Sequence, residues 1–289
     1  MAEAARRVDV AVIGAGIVGS AIARELAATS LSVALIEAKS DVGDGTSKAN
    51  TAILHTGFDS KPGTLESRLV ARGYVLLSEY AAATGIPIER TGAVLVAWTQ
   101  EELNALPGLQ ETAQRNGYQH CKLVDAHEVY TLVPDLGPGV LGGLLVPDES
   151  ITCTWTTNLA LATEAVQRGA QLMLDCPVTG ISVGARGTEL HTAKGTIEAR
   201  WVINAAGLGA DHIDRLFGMD RFNVTPRRGQ LLVFDKLARP KAPLIVLPVP
   251  SSLGKGVLIS PTIYGNVMLG PTGEDLTDRT ATETSEARC

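Results

Sequence analysis

The chain has 289 residues, 45% hydrophobic and 19% charged, the balance of a soluble globular protein with one large or two modest domains. Its 25 Lys and Arg against 31 Asp and Glu give a formal net charge of -6, so the overall charge recruits no nucleic acid. No run reaches the roughly 20 apolar residues of a membrane-spanning helix, and Cys121, Cys153, Cys176 and Cys289 include no pair at metal-ligand spacing, so neither a metal site nor an iron–sulfur cluster is expected.

Residues 8–13 are apolar and rich in β-branched side chains, as in a buried parallel strand, and they end on Gly14-Ala15-Gly16-Ile17-Val18-Gly19. Residues 17–28, rich in Ala, Ile, Leu and Glu, predict a helix directly after the turn. A second apolar run, 32–36, closes on Glu37, eighteen residues after Gly19. Each part has a physical task in holding a dinucleotide. Gly14 permits the tight turn, Gly16 lets backbone approach a pyrophosphate, and Gly19 lets the helix pack closely on the strand. The helix amino terminus offers unpaired N–H groups to phosphate, and Glu37 accepts from the ribose hydroxyls and repels a 2′-phosphate, disfavouring NADP. These elements leave FAD and NAD as alternatives, because both carry an adenosine and a pyrophosphate.

The chain then enters a small, polar, glycine-containing segment, residues 44–59, which holds Thr46, Ser47, Asn50, His55 and Gly57. Here the sequence resembles the FAD-dependent oxidoreductases of the D-amino acid oxidase superfamily, in the branch with glycerol-3-phosphate dehydrogenase and L-2-hydroxyglutarate oxidase. The likeness continues through Lys61-Pro62-Gly63-Thr64-Leu65, which leads into a helix in those enzymes. The resemblance implies that Thr46 and Ser47 lie near the pyrophosphate or ribityl chain and His55 near the isoalloxazine ring. The competing readings are turn or cap residues for Thr46 and Ser47, and a structural hydrogen-bonding group for His55.

Residues 85–92 lead into an apolar strand, 93–97, and Thr99 with Glu102 forms a capping box for a helix through Asn116. Asp125 and Glu128 repeat the pattern for a shorter helix. After the turn Pro147-Asp148-Glu149-Ser150, a helix is expected over 157–169 and strands over 171–174 and 178–183. Residues 189–192 and 196–200 then alternate as a β-meander around Ala193-Lys194-Gly195. The strand through Trp201 ends on Asn204-Ala205-Ala206-Gly207, small enough for backbone to pass close to a cofactor. Combined with the first glycine motif, this second signature selects FAD over NAD.

The expected fold class is therefore α/β: a Rossmann-like FAD-binding domain with a β-meander, plus an interleaved, incomplete α+β substrate domain. The segments expected are 1–84 and 151–215 for the first domain and 85–150 and 216–289 for the second. Residues 225–235 and 265–272 resemble family segments of the substrate domain, the first a strand bordering the pocket. Arg227 and Arg228 suit an anionic substrate through the planar guanidinium fork, with solvated edge-strand charges as the alternative. The polar segment from Glu274 to Cys289 lacks hydrophobic periodicity, and the chain reads as truncated against the family pattern.

The resemblance implies an enzyme that oxidises the CH–OH group of a small anion, glycerol 3-phosphate first, by hydride transfer to flavin N5 with a quinone or oxygen as final acceptor. His55 is the candidate base, because an ordinary imidazole pKa of about 6.5 lies near physiological pH. L-2-hydroxyglutarate or another 2-hydroxy or amino acid is the alternative substrate, and a non-catalytic FAD-binding fragment the alternative of another class. A cytoplasmic location is expected, with peripheral association at the inner face of a membrane left open.

Overall fold

The computed structural model describes residues 6–250 and 256–285, so Cys289 lies outside the described residues. The chain divides into two compact units, one of Met1–Asn50, Thr154–Pro226 and Leu276–Arg279, the other of Thr51–Cys153, Arg227–Asp275 and Thr280–Cys289. Each is built from interleaved segments. The first crossing falls after Asn50 rather than at 84, because strand Ile53–Leu54 pairs with Ser150–Thr152 and Tyr74 donates its hydroxyl to the Asp148 carbonyl, both in the second unit.

The first unit is organised on a six-stranded sheet ordered Val178–Gly184, Gly187–Thr192, Gly195–Asn204, Arg6–Ile13, Val33–Ile36, Gln171–Met173. Its last four strands run parallel and the first three form the antiparallel meander. The last meander strand and the strand through Trp201 are one, Gly195–Asn204, antiparallel to Gly187–Thr192 and parallel to Arg6–Ile13. Val10, Val12 and Leu35 are buried between the sheet and helices Ile17–Ala27 and Thr154–Gln167. Full burial of each such side chain stabilises by about 1.5–3 kcal/mol, which fixes the central strands and the turns that leave them.

The helix expected over 157–169 begins earlier, at Thr154. Its first turn is tied to the segment after Glu37, since Trp155 Nε1 donates to the Lys48 carbonyl at 3.1 Å. Near the other end of the sequence, Arg279 donates to both oxygens of the buried Asp211 carboxylate, at 2.6 and 2.5 Å, and to the carbonyls of Leu208 and Val224. Residues 276–279 of the polar segment are thus held at Arg279 by a guanidinium fork.

The second unit contains a seven-stranded sheet ordered Leu232–Phe234, Val267–Gly270, Leu258–Pro261, Ile245–Pro248, Ala93–Ala97, Gly142–Val146, Lys122–Asp125. Only the Ile245–Pro248 and Ala93–Ala97 pair is parallel. The interior strand Ala93–Ala97 is wholly buried. The capping box is present: Thr99 Oγ1 accepts the Glu102 amide, and Glu102 returns a carboxylate oxygen to the Thr99 amide at the head of helix Gln100–Arg115. The single strand expected over 225–235 is instead two. Arg227–Arg228 pairs with Glu274–Asp275, and Leu232–Phe234 pairs with Val267–Gly270. Between them Gly229 packs against Pro271, where an added β-carbon would meet Pro271 Cβ at 2.7 Å, so the chain bends around that ring.

Candidate functional site

Register builds the corner where the glycine motif sits. Ile13 is opposite Ile36 on one side and Asn204 on the other, so the residues that follow, Gly14, Glu37 and Ala205, emerge side by side at one sheet edge. The Gly14 amide donates to the Ile36 carbonyl at 2.7 Å and the Ala205 amide to the Ile13 carbonyl at 2.9 Å. Gly14 adopts φ 102°, and a β-carbon there would lie 2.4 Å from the Ala205 carbonyl oxygen. The small residues after Asn204 are what allow this approach.

The loop is held from several directions. Ala15 donates its amide to Glu37 Oε2 at 2.8 Å, and Lys39 donates to Glu37 Oε1 at 3.0 Å. Glu37 is therefore turned onto the glycine loop. Its backbone is pinned as well, donating to the Met173 carbonyl and accepting from Cys176. The Ala15 carbonyl accepts three donors: the Gly43 amide at 2.9 Å, the buried Ser20 hydroxyl at 3.2 Å and the buried Asn158 amide nitrogen at 3.2 Å. A trans peptide sets C=O and N–H in opposite directions, so this cage turns the Gly16 N–H outward.

Helix Ile17–Ala27 has Gly16 as its N-cap with no side-chain cap of its own. Ser47, thirty residues later, supplies the acceptor: its hydroxyl oxygen takes the Ile17 amide at 2.9 Å. Among the described residues a β-carbon on Gly16 would meet only that oxygen, at 3.1 Å, so the space over the helix terminus is kept open by the absence of a side chain. The Thr46 carbonyl accepts from the Ala49 amide and from Asn50 Nδ2, closing a turn. Asn204 ties the following turn, with Nδ2 donating to the Ala210 carbonyl at 2.7 Å and Oδ1 accepting from Ala206. Gly207 takes φ 54° in that turn.

His55 belongs to the second unit, where its Nδ1 lies 2.8 Å from Oε2 of Glu149. Glu149 is fully buried, and its Oε1 accepts from the Thr56 amide at 2.7 Å and the Thr56 hydroxyl at 2.9 Å. Asn116 Nδ2 donates to the Gly57 and Ser60 carbonyls at 2.9 and 2.7 Å, fixing the loop after His55. On the same turn as Glu149, Asp148 accepts from Tyr118 at 2.9 Å and lies 2.5 Å from His120 Nδ1. Burial alone would raise the Asp148 carboxyl, but its bonds to His120 and Tyr118 outweigh it and hold the group below the ordinary range. Burial first, then the nearby Glu149 and Asp148 charges, push the Cys121 thiol up to about 12, so it is no nucleophile.

The two arginines read as substrate anchors both face carboxylates. Arg227 pairs with Asp275 at 2.9 Å, both side chains largely exposed. Arg228 is mostly enclosed and pairs with Glu274 at 3.0 Å and Glu283 at 2.9 Å. Glu149, Asn116, Asn158 and Ser20 carry the geometry yet were not singled out by sequence. The one signal available was a charged pair, Asp148-Glu149, inside a tight turn.

The family model for FAD dependent oxidoreductases, named DAO, matches residues 9–289. The chain belongs to this family. It is 38% identical to glycerol 3-phosphate dehydrogenase of Caloramator mitchellensis, over 96% of this chain and 58% of that protein. It is 29% identical to mitochondrial L-2-hydroxyglutarate dehydrogenase of Arabidopsis thaliana, over 96% of this chain and 65% of that protein. Among solved structures, dithionite-reduced L-alpha-glycerophosphate oxidase of Mycoplasma pneumoniae with FAD bound superposes with a TM-score of 0.92 at 29% identity, covering 98% of this chain and 76% of that one. The chain thus spans less than two thirds of the length of the first two relatives.

The residues present fit the family's cofactor. The open space over Gly16, the outward Gly16 N–H and the Glu37 carboxylate at the same edge are what a pyrophosphate and a ribose require. Gly16 and Glu37 would hold the pyrophosphate and the adenosine ribose of FAD. Among the described residues no helix is long and apolar enough to cross a membrane.

Proposed function

We propose that the chain carries out FAD-dependent oxidation of a secondary alcohol on a small anion, glycerol 3-phosphate in the first instance. One observation carries the oxidoreductase reading: the corner at which Gly14, Glu37 and Ala205 meet in register, with its amide turned outward over a side-chain-free helix terminus. The choice of glycerol 3-phosphate is supported by the 38% identity to the Caloramator mitchellensis dehydrogenase and by the likeness to the Mycoplasma pneumoniae oxidase. When bound, FAD supplies the acceptor for the hydride lost from the carbinol carbon.

His55 is the proposed proton acceptor for the substrate hydroxyl. As that O–H bond breaks, the oxygen lone pair forms the second bond to carbon, and the C–H electron pair leaves with its hydrogen. Arg227 is the better of the two proposed phosphate anchors. Its pairing with Asp275 is exposed, and exposed pairs are worth only about 0–1 kcal/mol, so exchange for a phosphate costs little. Arg228 would have to leave two carboxylates at once.

A second substrate reading, L-2-hydroxyglutarate, is supported by the Arabidopsis thaliana relative. Steady-state assays of the purified chain with glycerol 3-phosphate, L-2-hydroxyglutarate and D-amino acids, using an artificial electron acceptor, separate the two. Turnover of glycerol 3-phosphate with kcat/KM at least tenfold above the others is the expected result. Preference for L-2-hydroxyglutarate overturns the substrate, and flavin binding without turnover of any of them supports a non-catalytic fragment. Peroxide release in air, against its absence, decides between oxygen and a quinone as final acceptor.

A further inference from the structure

We infer that Glu149 is a positioning residue that fixes the tautomer and orientation of His55. The inference rests on the reading of His55 as the proton acceptor, and it deepens that reading by naming what makes the ring a base at one particular nitrogen. Glu149 is fully buried, and enclosing a carboxylate is costly unless its oxygens are satisfied. Here Oε1 takes two donors from Thr56, the amide and the hydroxyl, and Oε2 faces His55 Nδ1 at 2.8 Å.

An ionised carboxylate only accepts hydrogen bonds. With Oε1 taken by the two Thr56 donors and Oε2 acting as acceptor, the neutral ring carries its proton on Nδ1 and its lone pair on Nε2. In the proton transfer the substrate O–H bond breaks and an Nε2–H bond forms, while the Nδ1 proton stays where it is. Glu149 faces the imidazolium that results, the same division of labour as in a Ser-His-Asp triad.

The placement of Glu149 is fixed from several sides. Its carbonyl accepts the Gly92 amide at 2.8 Å, and the preceding residue is held by Tyr74 through its carbonyl and by Tyr118 through its side chain and its amide. Asp148 and Glu149 thus serve different partners from adjacent positions, His120 with Tyr118 for one and His55 with Thr56 for the other. The loop that carries His55 is independently anchored by Asn116. Glu149 and the loop after His55 are thus each held by contacts outside the pair.

Glu149→Gln gives a sharp test, because glutamine has one acceptor and one donor where glutamate has two acceptors. Two Thr56 donors claim the amide oxygen, so the new NH2 group faces His55 Nδ1 and forces the ring into the Nε2–H tautomer. The full chain, labelled with 15N-histidine and assigned with His55→Gln, is read by ring-nitrogen NMR at pH 8.5. The expected wild-type signal is protonated Nδ1, and in Glu149→Gln it is protonated Nε2, with kcat on glycerol 3-phosphate lowered about 10³-fold and KM within about twofold. Glu149→Asp, which keeps the acceptors, should keep the wild-type tautomer and recover part of kcat. A wild-type ring protonated on Nε2 overturns the inference without any variant, as does a Glu149→Gln protein whose tautomer and kcat are unchanged. If the wild type turns nothing over while its Nδ1 is protonated, the catalytic reading fails and the orienting role of Glu149 stands.

Discussion

A β-carbon built on Gly19 would stand 1.8 Å from the carbonyl oxygen of Gly14, five residues earlier, and 3.3 Å from Cβ of Ala205. The third glycine is thus a packing requirement of the fold, as is Gly14, whose β-carbon would meet the Ala205 carbonyl. Gly16 is different, for among the described residues only the Ser47 hydroxyl lies near. Gly19→Ala and Gly14→Ala are each expected to destabilise the protein by about 1–3 kcal/mol through overpacking. In a thermal melt that is a Tm lower by several degrees. Gly16→Val should melt within a degree or two of wild type, and equal losses at all three positions would show that the positions do not divide in this way.

Asn158 reaches 143 residues back along the sequence to donate to the Ala15 carbonyl. Removing it leaves that carbonyl with two donors rather than three, and loosens the peptide that presents Gly16 N–H. A typical hydrogen bond contributes about 0.5–1.5 kcal/mol, so Asn158→Ala is expected to weaken FAD binding about three- to tenfold, read by quenching of flavin fluorescence on titration. Wild-type affinity in this variant would contradict the cage.

Asp211 and Arg279 give a pH dependence with a definite sign. The Arg279 guanidinium, against the opposing effect of burial, holds the Asp211 carboxyl well below its ordinary 3.8, with the Val224 amide and Arg215 assisting. A depressed folded-state pKa contributes stability that is present in full above the ordinary value and is lost as pH falls through the depressed one. Wild type should therefore melt higher than Arg279→Ala at pH 6, and the gap should close as pH is lowered from about 4 toward 2. A gap that stays constant across this range, in melts followed by circular dichroism, would remove the ion pair from the account.

What the sequence made legible was local. The strand, Gly14, Gly16, Gly19, the following helix and Glu37 lie within one βαβ span, and Thr99 with Glu102 lies within one helical turn, so spacing alone identifies them. The second signature was also readable, because small residues after Asn204 have few other reasons to follow a long strand. Glu149 was not. Its partner His55 is 94 residues away, and a Pro-Asp-Glu-Ser turn looks like solvated surface until Ile53–Leu54 pairs with Ser150–Thr152 and closes over it. The same holds for Ser20 and Asn158, polar residues on helices whose partner is a backbone carbonyl. Arg227 and Arg228 could be read for charge but not for company, since their carboxylates come from the strand Glu274–Asp275 and from Glu283.

Calorimetric titration of the purified, flavin-stripped chain with FAD, run beside Gly16→Val, tests the central claim most directly. The glycine corner with Glu37 predicts one FAD bound per wild-type chain, competed by ADP, and no measurable binding to a Gly16→Val protein that melts normally. Binding of FAD to Gly16→Val with wild-type affinity, or failure of the wild type to bind either nucleotide, would contradict it.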